Sequence, residues 1–222
     1  MATTSMSDKT LKEAVMRELE WDPSVEAAHI GVIAKDGAVT LTGKVPTYSQ
    51  KWAAVRAAER VFGVRAVADE LEVKLSSLNT RDDQDIAEQI ARTFEWSTTV
   101  PDTVEAEVRK GWVTLKGDVD WSYQRDEAER AIRHITGVTG VSNLIVVKPK
   151  VKPKPADVEK RIEEAITREA DLDARRIWVT THNGTAELHG TVHSFWEKRL
   201  AEQAAASAPG VAKVENLLAV TP

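Results

Sequence analysis

Three of the five histidines in this 222-residue chain, His182, His189 and His193, crowd into its last third, where imidazole nitrogens could hold zinc or copper. Their spacing argues against it. On a strand, His189 and His193 stand about 13 Å apart, and His182 falls at the far end of the preceding hairpin, so no metal site is expected. The carboxylates Asp82, Asp83 and Asp85, and Asp171 with Asp173, could do acid-base chemistry only in a cleft that gave paired acids different environments. The first group begins a helix, where negative charge suits the N-terminal dipole. The absence of Cys removes disulfides, thiolate catalysis and cysteine zinc sites. With no G-x-x-x-x-G-K loop, nucleophile elbow or dinucleotide fingerprint, neither an enzyme nor a cofactor is expected.

The aromatic residues hold a different chemistry. There are seven Trp against three Phe and two Tyr, a bias toward rings that combine an apolar body with a polar edge. One group, Tyr48, Trp121, Tyr123, Phe195 and Trp196, lies beside Lys51, Arg125, Lys198 and Arg199. Such rings could enter a lipid headgroup boundary while the bases meet phosphates. Core packing is the competing role, and is favoured for at least one ring per copy of the repeat that now comes into view.

That repeat is anchored by Gly37-Ala-Val-Thr-Leu-Thr-Gly43, which recurs from Gly111 to Gly117 and from Gly184 to Gly190, at offsets of 74 and 73 residues. A Gly-Val pair follows 26 residues after each first glycine, at Gly63, Gly137 and Gly210. Each copy opens with a helical stripe (Leu11, Ala14, Val15, Leu19; Ile86, Ile90, Phe94; Val158, Ile162, Ala165, Ile166). A strand alternating at period two follows: Ile30, Val32, Ala34; Val104, Ala106, Val108; Ile177, Val179, Thr181.

Asp36-Gly37 and Asn183-Gly184 are favoured two-residue hairpin turns, and Lys110-Gly111 sits at the same place. Such turns set Val32 against Leu41, Ala106 against Leu115 and Val179 against Leu188. A second helix starts near Thr47, Asp120 or Ser194, with Thr47/Gln50 and Ser194/Glu197 forming capping boxes, and ends at the Gly of the Gly-Val pair. A last strand carries Leu71, Val73 and Leu75; Leu144 and Val146; Leu217 and Val220. The predicted fold is α+β: three tandem αββαβ two-layer sandwiches, each a three-stranded mixed sheet covered on one face by two helices, over residues 8–75, 82–148 and 156–221. The alternating Lys-Pro linker from Lys148 to Pro155 should be extended and hold the third unit off from the second.

The same register puts Trp112 opposite Arg109 and Trp178 opposite His189, on the uncovered side of the sheet. A cation over the Trp112 indole is plausible there. These four residues are expected to mark a partner or lipid surface, or else to be covered by another repeat or another chain. The second alternative is favoured, because small tandem units need interfaces.

The αββαβ order, the G-x-V-x-L-x-G-x-V strand and the downstream Gly-Val resemble the BON domain family, in three copies from about Asp8 to Thr221. The third copy has Ala186 where the others have Val39 and Val113. The resemblance implies a non-catalytic osmotic or envelope-stress protein that binds anionic phospholipid or a membrane surface. Its alternatives are self-association into oligomers, fibres or a pore-like ring, and, more weakly, response to potassium. A homo-oligomer is the expected state.

Charge excludes one further class. Lys and Arg number 10 against 11 acids in residues 1–78, 10 against 13 in 79–150 and 10 against 11 in 151–222. No unit is basic, so no nucleic-acid partner is expected. Met1 to Met16 lack the basic start and apolar run of a leader, which points to the cytoplasm, or to the periplasm if a leader had been removed. The open-face Trp and the His set occur only in later copies, so function is expected in residues 109–193, with the first unit as support.

Overall fold

In a computed structural model that describes residues 6–150, 153–169 and 172–221, the chain folds as three αββαβ sandwiches. Asp171 and the Val151-Lys152 part of the linker lie outside the described residues. The first repeat comprises α1 (Asp8–Trp21), β1 (Ile30–Lys35), β2 (Ala38–Val45), α2 (Tyr48–Arg60) and β3 (Ala66–Val73). The second has α3 (Asp83–Glu95), β4 (Glu105–Arg109), β5 (Trp112–Lys116), β6 (Asp118–Val119), α4 (Ser122–Ile132), β7 (Gly140–Asn143) and β8 (Val146–Val147). The third has α5 (Pro155–Arg168), β9 (Ile177–His182), β10 (Thr185–Val192), α6 (Phe195–Ala206), β11 (Lys213–Asn216) and β12 (Ala219–Val220). Among the described residues no helix is long and apolar enough to cross a membrane.

Each hairpin has the predicted register: Val32 faces Leu41, Ala106 faces Leu115 and Val179 faces Leu188. The third strand then pairs parallel with the central one, which makes the sheets mixed. Leu41, Leu115 and Leu188 at the sheet centres are wholly buried, worth about 2 kcal/mol apiece. The helical stripes cover them through Leu11, Val15 and Leu19, through Ile86 and Ile90, and through Val158, Ile162 and Ile166.

The two glycine classes explain each other. Both residues of every hairpin turn have positive φ, 50° and 80° at Asp36-Gly37, 52° and 75° at Lys110-Gly111, 50° and 80° at Asn183-Gly184. The turn glycine carbonyl accepts a hydrogen bond from the chain just past the Gly-Val pair: Arg65 N–H at 2.8 Å, Thr139 N–H at 2.9 Å, Ala212 N–H at 2.7 Å. The 26-residue interval is what brings those two backbones together. The second helices stop before that glycine, at Arg60, Ile132 and Ala206, not at the glycine itself.

Three further expectations change. The fourth helix starts one residue later than Asp120, with Trp121 at the cap, and Gln124 Oε1 accepts from both Asp120 N–H and Trp121 N–H. The reciprocal halves of the other two boxes go elsewhere: Gln50 Oε1 accepts from Glu26 N–H, and Glu197 Oε2 from His193 N–H. In the last strands the inward residues are Ile145, Val147 and Leu218, not Leu144, Val146 and Leu217, which are 59%, 51% and 56% exposed. A polar residue holds the preceding inward position: Asn143 and Asn216 donate to the carbonyls of Arg125 and Lys198 on the covering helices. That shifts the apolar alternation by one residue.

Lysine disfavours the left-handed conformation that Lys110 adopts. Asp83, the first residue of α3, supplies the compensation, accepting from Lys110 N–H and Gly111 N–H at 2.8 Å each. These two bonds, Gly111 first, hold the Asp83 carboxyl below its ordinary pKa. Its contribution to stability is therefore full above the ordinary carboxylate range and is lost as pH falls through the lowered value. Asp83→Ala is expected to destabilise the second repeat at neutral pH, with the gap from the unaltered protein closing in acid. Urea midpoints across that range test this, and a gap independent of pH would refute it.

Candidate functional site

The second helices meet. Helix α2 packs on α6, and Glu59, 4% exposed, takes Arg199 Nη1 on both carboxylate oxygens at 3.1 and 3.0 Å. The Arg56 guanidinium lies 4.3 Å from the Trp196 ring centroid and 4.9 Å from that of Trp52, while Arg133 sits 3.5 Å over Trp52. Tyr48 packs against the core of the second repeat, and Phe62 stacks on His193 at 6.3 Å. The first repeat is thus the hub on which the other two dock, the second through Tyr48 and Trp52 and the third through α6. Lys148 and Lys150 pair with Asp118 and Asp120 of the second repeat at 2.6 Å.

Burial shapes the ionisation of this junction. It pushes the Tyr48 hydroxyl up to about 12, with Glu129 adding to it, and pushes Arg56 down to about 10, with the neighbouring Arg199 charge adding to it. Burial lowers Arg133 as well. Arg199 is held by a carboxylate, whereas Arg56 rests on two indole faces and Arg133 on one, a use of the ring quadrupole in a desolvated setting.

The helix-start cluster therefore splits. Tyr48 and Trp196 are in the junction, and Phe195 is half-buried on the first turn of α6. Trp121 and Tyr123 remain outside it, 36% and 53% exposed, with ring centroids 6.4 Å apart. The sequence reading missed Trp52, Arg56, Glu59 and Arg133 because the chemistry changes between equivalent positions: Glu59 and Arg133, 74 residues apart, carry opposite charges. It also passed over Trp21 and Trp96, 84% and 86% exposed at equivalent ends of α1 and α3, where the register from the caps Ser7 and Asp82 could have placed them.

On the open sheets, Trp178 stacks on His189 at 5.9 Å and 11°, and Trp112 faces Arg109 in the ladder. The indole of Trp112, however, does not carry that cation. It lies flat across Gly140, leaving no room for a side chain there, and donates from Nε1 to Ser142 Oγ at 2.9 Å. Trp112 and Trp178 are 49% and 58% exposed, so within the described chain no other repeat buries them. His189 and His193 serve different partners: Nε2 of His189 is 3.3 Å from Glu187 Oε2, and Nε2 of His193 is 2.7 Å from Arg176 Nη1.

A family model described as the BON domain matches residues 7–74, 82–149 and 155–222. Osmotically-inducible protein Y of Escherichia coli (strain K12) is 29% identical over 148 residues, covering 64% of this chain and 74% of that protein. Two solved structures of CdsD, titled a structural protein of the type III secretion system of Chlamydia trachomatis, align over 95% and 98% of this chain. They cover 91% and 100% of theirs, with 14% and 13% identity and TM-scores of only 0.28 and 0.27.

Proposed function

The chain belongs to the BON domain family, in three tandem copies, and from that premise we propose that it is a stress-related protein acting by binding and assembly rather than catalysis, with an anionic phospholipid surface as ligand. The stress role rests on likeness to a relative whose name records osmotic induction. The lipid reading rests on one observation above others. Trp121 and Tyr123 stay solvent-exposed at the turn into α4, next to Arg125, while Tyr48 and Trp196, from the helix starts of the other repeats, are taken up in the junction. An indole and a phenol at such a turn can lie at the headgroup boundary with their polar edges in water.

Sedimentation with phosphatidylglycerol-containing and with purely phosphatidylcholine vesicles at low salt tests the reading. Binding to the anionic vesicles alone is expected, with about a tenfold loss in the Trp121→Ser/Tyr123→Ser variant. Absence of binding to anionic vesicles would remove it.

Self-association is a second reading, favoured by the open sheet face of the second repeat. Trp112, Leu144 and Val146 stand exposed there together with unpaired strand edges. Light scattering that showed a strict monomer at high concentration would exclude it.

A further inference from the structure

The three repeats treat their hairpin turns differently. In the first, Asp8 at the start of α1 accepts from Asp36 N–H at 2.8 Å; in the second, Asp83 at the start of α3 accepts from Lys110 and Gly111 N–H. The buried residues Leu11, Ile86 and Val158 each follow three positions later, so the third-repeat counterpart of these aspartates is Pro155, the first residue of α5. Proline has no carboxylate to offer. Among the described residues nothing replaces it: of the four acids on α5, Glu159 accepts from Thr181 N–H and hydroxyl, and none accepts from the Asn183-Gly184 turn.

A cavity of about 360 Å³ opens at this place. Asn183 and Gly184 form one end, and Pro149, Pro153, Val158 and Val211 line its apolar walls. The turn has the same two positive φ angles as its counterparts, so its two N–H groups are presented in the arrangement that holds a carboxylate elsewhere in this chain. An Asn-Gly turn keeps that conformation unaided, so the internal acid could be dropped without loss of the hairpin.

We propose that this cavity is a binding site for a carboxylate carried on an apolar body, taken from outside the chain. The carboxylate occupies the seat that Asp8 and Asp83 fill in the other repeats, accepting from the backbone of Asn183 and Gly184. The body packs against Pro149 and Pro153 of the linker. A short fatty carboxylate and the free C-terminus of an apolar peptide share this chemistry, and backbone N–H groups capture chain termini in the same manner. The cavity lies apart from Trp121 and Tyr123, and the proposal stands whether or not the protein binds lipid.

The test is a titration of the full chain followed by amide NMR, with hexanoate, hexanamide, and a valine-ended tetrapeptide in free-acid and amidated forms. Saturable shifts of the Asn183 and Gly184 amides are expected with hexanoate or the free-acid peptide and not with the two amides. The tighter of the two acids identifies the natural source. Pro155→Asp restores the internal carboxylate at high effective concentration and should weaken binding by about tenfold or more while raising the melting temperature. Pro153→Ser, which removes an apolar wall and leaves the turn donors in place, should weaken it as well. Equal shifts with hexanoate and hexanamide, or unchanged binding in folded Pro155→Asp protein, would overturn the proposal.

Discussion

Gly43→Ala is expected to unfold the first repeat at ordinary temperature, whereas Gly63→Ala, 20 residues on, should leave it folded. Both glycines have positive φ, 120° and 88°. What separates them is what a Cβ would meet. At Gly43 it would stand far inside contact distance of the His29 carbonyl oxygen, a backbone atom immediately before β1 that cannot move aside; at Gly63 it would find only Leu11 Cδ1 at 3.8 Å and Met6 Cβ at 4.0 Å, ordinary contacts. The first substitution adds a collision to a backbone region that only glycine occupies freely, about 3–5 kcal/mol in all. The second adds the left-handed penalty alone, about 1 kcal/mol. A small domain with a total near 5 kcal/mol survives the second and not the first. Gly117 and Gly190 repeat the geometry against the Thr103 and Arg176 carbonyls, so Gly117→Ala and Gly190→Ala should act alike on their own repeats. Urea unfolding checks the contrast, and equal midpoints for Gly43→Ala and Gly63→Ala would refute the collision argument.

That contrast also shows where the sequence was legible. Glycines, turns and hairpin register are local matters, set by positive φ and by the two-residue period, and three copies in phase made them readable. The phase of the last strand was not, because Asn143 and Asn216 put a polar group on the inward side, where it satisfies a helix carbonyl. An alternation traced through Leu144, Val146 and Leu217 alone therefore follows the open face. The junction was hidden for another reason. Trp52 and Arg199 occupy the same repeat position yet make opposite contributions, one a ring beneath guanidiniums and the other a cation on Glu59. An interface between non-equivalent surfaces leaves no repeating signal. Aromatic residues beside basic ones read equally well as a membrane contact, and only the packing of α2 against α6 separates Trp196 from Trp121.

Arg199→Met tests whether that junction makes one body of three. The substitution keeps the apolar stem and removes the one cation that, among the described residues, bonds Glu59, a carboxylate whose side chain is 6% exposed. A buried charge left without its partner keeps its full desolvation cost. Arg199 itself is 34% exposed, so solvent screens part of the original attraction, and the expected loss is about 2–3 kcal/mol rather than the upper end seen for buried pairs. Besides the packing of α2 on α6, what remains between the first and third repeats is the stack of Arg56 on Trp196 and of Phe62 on His193, each worth about 1 kcal/mol. That is too little to hold a domain against the freedom of its linker. The third repeat should therefore swing free while staying folded: the radius of gyration by small-angle scattering rises, Trp196 becomes accessible to quencher, and the hairpin amides around Asn183 keep their shifts. Glu59→Gln in the Arg199→Met background removes the stranded charge and should restore part of the docking. If the single variant scatters like the unaltered chain, the aromatic contacts and the packing of α2 on α6 hold the third repeat without the ion pair, and Trp196 rather than Glu59 is the residue on which its docking turns.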